Sequence, residues 1–251
     1  MCACRNTFIF HLHFSHVSNQ NKKFNHQNSI SINNKMLFTT LLFCLHGVIS
    51  GKNELHITNA MEFIYFSNDV NSGNSYSGAT VILDNEIDFS GDGLSSQFEP
   101  IGNNNSNPFQ GTFDGHGYTI SGLAVRSSFQ YVGLFGYIKG AAIRNVVLDS
   151  SCTVTSSYTG SGYSYAGGIT GSCGGCMIES CVNMGSISFT GNMLNILYIG
   201  GIVGELCFSS KDATVKNCAN YGSVIHSGIS SSANIGGVVG HSDSSSTKSY
   251  V

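Results

Sequence analysis

The sequence predicts an all-β fold, a parallel β-helix in which the chain coils once per repeat. Three observations predict it. The first is a block that recurs four times, at 131–139, 165–173, 198–207 and 234–243. Its first glycines, Gly133, Gly167, Gly200 and Gly236, are spaced 34, 33 and 36 residues apart. The second is composition. Among 251 residues 31 are Gly, none is Trp and 10% are charged, which suits Gly- and Ser-cornered strands and, with no strict triplet, excludes collagen. The third is the absence of a helical pattern between the blocks, which removes an alternating βαβ fold.

Each block is too glycine-rich for a helix interior. Gly133 and Gly136 mark the first copy. Gly167, Gly168 and Gly171 mark the second, Gly200, Gly201 and Gly204 the third, and Gly236, Gly237 and Gly240 the fourth. Glycine at these sites permits a bend or the close approach of a neighbouring layer. A second block follows three of the copies, from Ala142, Met177 and Thr214. Each repeat then supplies about three short strands, and stacking the repeats buries the apolar side that no single repeat can bury.

The aligned second blocks place Val146, Cys181 and Cys218 in one column, and Leu148, Asn183 and Asn220 in another. The first is expected to be a small inward column, with Cys181 and Cys218 as packed thiols about one strand spacing, ~4.8 Å, apart. In the second, Asn183 and Asn220 are expected to bond as a ladder or to serve as turn residues before Gly185 and Gly222.

The remaining chain divides around this ladder. Leu37–Ile49 is an apolar run of thirteen residues, too short to span a bilayer, so 36–50 reads as a secretory signal peptide. Residues 1–35 read as an unstructured leader, mis-included upstream sequence. Residues 51–130 form an N-terminal cap and the first coils, and 131–251 the repeats, expected to stop short within the fourth. Asn59–Glu62 resembles a capping box for a short helix over 60–68, with Met61, Ile64 and Tyr65 at helical spacing, as a cover for the first coil. An uncovered last coil is expected to promote self-association.

From Gly51 onward, seven bases against all fourteen acids leave a formal charge of −7. No basic patch is available for phosphates, so nucleic acid is not expected as a partner. Six cysteines fall there, an even number that permits disulfides in a secreted segment.

Phe98–Gly102, then Phe109–Leu123 (FQGTFDGHGYTISGL), then Gly133-Leu-Phe-Gly136 and its three relatives resemble the GLUG-type repeats of bacterial and protist surface proteins. The resemblance spans roughly Glu54 to the end. It implies a right-handed parallel β-helix in a secreted or cell-surface, adhesin-like protein, and it carries no catalytic site with it.

Candidate chemistry is sparse. Asp84, Glu86 and Asp88 alternate, and with Asp92 and Glu99 form the densest acid group. A solvated strand face is the preferred reading over a Ca²⁺ site. Asp114-Gly-His116-Gly reads as a tight turn. Cys173-Gly-Gly-Cys176 has redox spacing without a helix to activate a thiol, so a structural disulfide or packed thiols are expected. No acid pair stacks on adjacent coils by alignment, so no catalytic, cofactor-binding or metal residue is assigned. The expected role is extracellular adhesion or binding of a glycan or protein, with Tyr158, Tyr163, Tyr165, Tyr198 and Tyr221 available to stack on sugars. The alternatives are a polysaccharide-degrading enzyme and a structural surface coat.

Overall fold

The computed structural model describes residues 53–243, apart from 92 and 208–211. Over these residues the chain is a right-handed parallel β-helix of about five turns, with one helix near its start. The segments read from sequence as a leader (1–35) and a signal peptide (36–50), together with Asp92 and the end of the fourth repeat, lie outside the described residues.

One complete coil shows the plan. Its strands are Thr170–Gly174, Met177–Glu179, Val182–Asn183, Ser186–Phe189 and Ile196–Gly200, and they belong in that order to the first, second, third, fourth and fifth sheets. A coil therefore holds five strands, where the sequence pattern implies about three. The reason is local. Asn145, Ser180 and Asn217 adopt φ of 56°, 54° and 54° at equivalent places, so one left-handed residue turns the chain between the second and third sheets. A pattern that looks like one strand is folded at a single residue, Asn in two of the repeats and Ser in the other.

The register matches the aligned columns. Ile143, Ile178 and Val215 stack inward and are buried. Val147 pairs with Val182 and Val182 with Ala219, which places Cys181 and Cys218 one residue earlier on adjacent coils. Outside the barrel, Asp114, Arg144, Glu179 and Lys216 align as a column of alternating charge, with ion pairs of 2.8 Å (Arg144 to Asp114) and 2.9 Å (Lys216 to Glu179). The first repeat is one residue shorter at its glycine corner, since Gly133-Leu-Phe-Gly136 faces Gly167-Gly-Ile-Thr-Gly171.

The helix, α1, runs Ala60–Asn71, three residues longer than its sequence pattern suggests. The Asn59 side chain accepts the Glu62 N–H at 3.0 Å, and the Glu62 carboxylate accepts from the N–H and Oγ1 of Thr58, one residue earlier than in a standard capping box. The buried face also departs from expectation. Phe63, Phe66, Ser67 and Val70 join Ile64 inside, while Met61 is exposed. Phe63 meets Phe89 and Phe113 at ring separations of 5.9 and 5.8 Å, and Phe66 meets Phe109 at 5.6 Å, so α1 covers the interior of the first coils with aromatic rings.

At the other end of the described barrel lie Thr214–Lys216, Ala219–Asn220, Val224–His226, Ser232–Gly236 and Val239–Ser242. Among the described residues no further strand pairs with their outer edges, and Tyr221, Ile225, Ile229 and Ile235 are exposed. No described helix is long and apolar enough to cross a membrane.

Candidate functional site

The residues that carry chemistry gather where the fifth sheet of one coil meets the first sheet of the next. Val132, Ala166 and Ile199 point inward on the fifth sheet, as do Ile138, Cys173 and Leu206 on the first, and all are buried. Alternation therefore sends Tyr131, Tyr165 and Tyr198 outward from one sheet, and Tyr137, Ser172, Glu205 and His241 outward from the other. The Tyr131 and Tyr137 rings nevertheless meet, with centroids 5.2 Å apart. Outward side chains from consecutive sheets converge only if the corner between them is concave, so these columns are the two walls of a longitudinal groove.

Glycine creates that corner. A Cβ on Gly171 would lie 2.7 Å from the Val132 nitrogen and 2.9 Å from the Gly136 and Tyr165 oxygens, all backbone atoms that cannot swing aside. The second glycine of each pair meets a different neighbour. A Cβ on Gly168 would lie 2.9 Å from Cγ of Asn183, and a Cβ on Gly201 would collide with the amide of Asn220. In the first repeat Leu134 follows Gly133 and the matching third-sheet residue is Leu148. Glycine and asparagine thus occur together across the core.

The aromatic wall is a continuous stack. Tyr131 and Tyr165 lie 5.1 Å apart with planes at 5°, Tyr165 and Tyr198 5.7 Å apart, and His241 lies over Tyr198 at 4.3 Å and 12°. Tyr163 stacks on Tyr198 at 6.0 Å and remains 43% exposed. Burial raises the phenol pKa values of Tyr131, Tyr165 and Tyr198 and pushes that of Tyr137 up to about 12, so the hydroxyls stay protonated at physiological pH.

The polar wall centres on Glu205. Ser172 Oγ donates to its Oε2 at 3.0 Å, and Cys207 Sγ lies 3.8 Å from the same hydroxyl. Burial raises the Glu205 pKa, the Ser172 hydrogen bond opposes this, and the charge of Asp243 adds to it. His241 is the register partner of Glu205 on the adjacent coil. The two acids that interact, Glu205 and Asp243, are thus diagonal neighbours, which an alignment of identical positions does not expose.

Of the five tyrosines singled out from sequence, Tyr163, Tyr165 and Tyr198 meet in this groove and Tyr158 lies beside it, near Tyr131. Tyr221 sits on another face. Tyr131, Tyr137, Glu205 and His241 were not anticipated. The four-block alignment sets Glu205 against His241.

The other sequence candidates are held in local structure. Asp84 bonds His56 at 2.8 Å, while Asp88 accepts the Ser90 N–H and hydroxyl at 2.8 and 2.9 Å, which lower its pKa. Among the described residues no group of three or more His, Cys, Asp or Glu is placed to hold a metal. Asp114 is buried, which favours protonation. Hydrogen bonds from Asn145, the His116 N–H and Arg144 outweigh this, and its pKa lies below the ordinary value. His116 and Gly117 both have positive φ, 52° and 79°, the geometry of a tight turn. Cys173 and Cys176 are joined as a disulfide.

Cys181 and Cys218 are free thiols. The Cys181 N–H donates to Cys218 Sγ at 3.4 Å. Asn183 is buried. Its amide donates to Gly185 O at 2.9 Å and to Asn220 Oδ1 at 2.7 Å, and its carbonyl accepts the Gly185 N–H at 3.1 Å. It is both a rung of a ladder and the anchor of a turn.

Compared with known proteins, the chain matches no protein-family profile, no curated protein and no solved structure.

Proposed function

We propose that the chain is a secreted or cell-surface binding module of the GLUG-type, adhesin-like kind, without catalytic activity, and that its ligand is a glycan laid along the tyrosine groove. One observation carries the reading: the ordered stack Tyr131–Tyr165–Tyr198–His241 on the outside of the barrel, with Tyr163 presented on it. The exposed Tyr163 ring suits the apolar face of a sugar, while Tyr165 and Tyr198, 8% and 9% exposed, are packed against it and support it. The apolar 36–50 segment supports secretion.

A panel of soluble polysaccharides tested against the purified protein checks the proposal. Binding that Tyr163→Ala weakens by about tenfold or more supports it. Binding indifferent to that change places the ligand elsewhere. The competing reading, a polysaccharide-degrading enzyme, draws on Glu205, whose pKa is raised by burial and further by the charge of Asp243. Turnover of a bound polysaccharide, lost in Glu205→Gln, would decide for it. A second copy of the chain is the proposed partner at the outer edges of the last described coil, with which no further strand pairs among the described residues.

A further inference from the structure

The chain holds one Asn-x-Ser/Thr triplet, Asn104-Asn105-Ser106, and neither its middle residue nor the residue after it is proline. It lies in the loop 102–108 at the start of the first sheet. Ile101 bridges to Phe135 before the loop and Phe109 to Ile138 after it, and both are fully buried. Between these two anchors Asn105 and Ser106 are exposed and Asn104 is half-buried. We propose that Asn104 is an N-glycosylation site, whose side-chain amide receives an oligosaccharide in a secretory pathway that carries an oligosaccharyltransferase. The inference rests on the secreted reading of the chain and adds a covalent modification to it.

The hydrogen bonds of the folded loop leave the amide able to carry a glycan. Asn104 Oδ1 accepts the backbone N–H groups of Ser106 and Asn107 at 2.9 and 3.0 Å, which fixes the turn. Its Nδ2 has two hydrogens and donates to Asn103 Oδ1 at 2.7 Å. Glycosylation replaces one hydrogen by the anomeric carbon. The other hydrogen serves Asn103 and the carbonyl keeps both N–H groups, so all three bonds can survive. The loop is tied to α1 by other atoms. Asn71 Oδ1 accepts the N–H groups of Gly102 and Asn103, and Asn107 Nδ2 donates to Asn71 O. The Ser106 hydroxyl, the third-position group of the triplet, bonds no partner among the described residues, so the fold makes no competing use of it.

The step is a substitution at carbon. Nδ2 bonds to the anomeric carbon of an oligosaccharide carried on a polyprenyl pyrophosphate. The bond from that carbon to the pyrophosphate oxygen breaks, and the pyrophosphate leaves with the electron pair. Nδ2 gives up one proton, and nothing is oxidised or reduced. The product sets a bulky hydrophilic chain on a loop that stands beside α1.

The full chain, translated with and without endoplasmic-reticulum microsomes, provides the test. A second version carries an established secretory leader in place of 1–50, and protection from added protease confirms that it enters. The expected result is one slower-migrating species that forms only with microsomes and collapses on treatment with peptide N-glycosidase. Peptide mapping should then find aspartate at position 104. Ser106→Ala should abolish the species, although the turn bonds of Asn104 run to backbone N–H groups and are untouched by it. Ser106→Thr should keep it. Modification with the established leader and none with the native segment supports the acceptor site and counts against the secreted reading. An unmodified chain inside the microsomes, or a glycosidase-sensitive species that persists in Ser106→Ala, overturns the proposal.

Discussion

Replacing Asn183 by alanine tests the coupling between the repeat register and core polarity. The side chain is 1% exposed and makes three hydrogen bonds, two to Gly185 and one to Asn220. Its removal strands the Gly185 N–H and C=O in a buried turn, and each unsatisfied group costs roughly 1–3 kcal/mol. Asn220 is half-buried, so water can reach its freed oxygen and that loss counts for little. The expected destabilisation is therefore about 2–6 kcal/mol. Asn220→Ala serves as the internal control. It removes a single bond from Asn183, whose amide keeps Gly185 O, and its own turn partner Gly222 is half-buried. That change should cost about 1 kcal/mol. Urea unfolding followed by far-ultraviolet circular dichroism gives both values. Equal losses for the two variants, or a smaller loss at Asn183, would refute the reasoning.

Three further outcomes follow from the same geometry. Gly204→Ala places a Cβ 2.5 Å from Gly171 O and 2.8 Å from Ala166 N and O, so it should destabilise the barrel by at least about 1–3 kcal/mol, measured as a lowered urea midpoint. Glu205 has a raised pKa in the folded state, so its contribution to stability is full below the ordinary carboxylate pKa and is lost as pH rises through the folded value; Glu205→Gln should flatten this part of the stability–pH profile, and an unchanged slope contradicts the burial of Glu205. Cys218 is half-buried, and the hydrogen bond from Cys181 brings its pKa down to about 7 while Cys181 is held protonated and buried, so iodoacetamide near neutral pH should label Cys218 before Cys181 in peptide mass mapping.

Much of the fold was legible because stacked coils force equivalent residues into columns. The spacing of Gly133, Gly167, Gly200 and Gly236 sets the coil length, and the order Cys181–Asn183 against Cys218–Asn220 sets the register that the strand pairs adopt. The five-strand cross-section was not legible, because its corners rest on single left-handed residues such as Asn145 and Ser180. Neither was the buried face of α1: three phenylalanines within the first coils, Phe89, Phe109 and Phe113, select Phe63 and Phe66 over Met61, and those rings come from distant parts of the chain. The tyrosines announced themselves by repetition. The groove they line depends on which way the chain turns at Gly167–Gly168, and residue spacing does not encode that direction.

The most direct test of the binding assignment is amide hydrogen exchange with and without the polysaccharide that binds most tightly in the panel. The account predicts added protection along Tyr131–Lys139, Tyr165–Gly174 and Tyr198–Cys207, the strands that form the two walls, and no change along Met177–Phe189. Protection confined to the second, third or fourth sheets, with none at the groove, would contradict it.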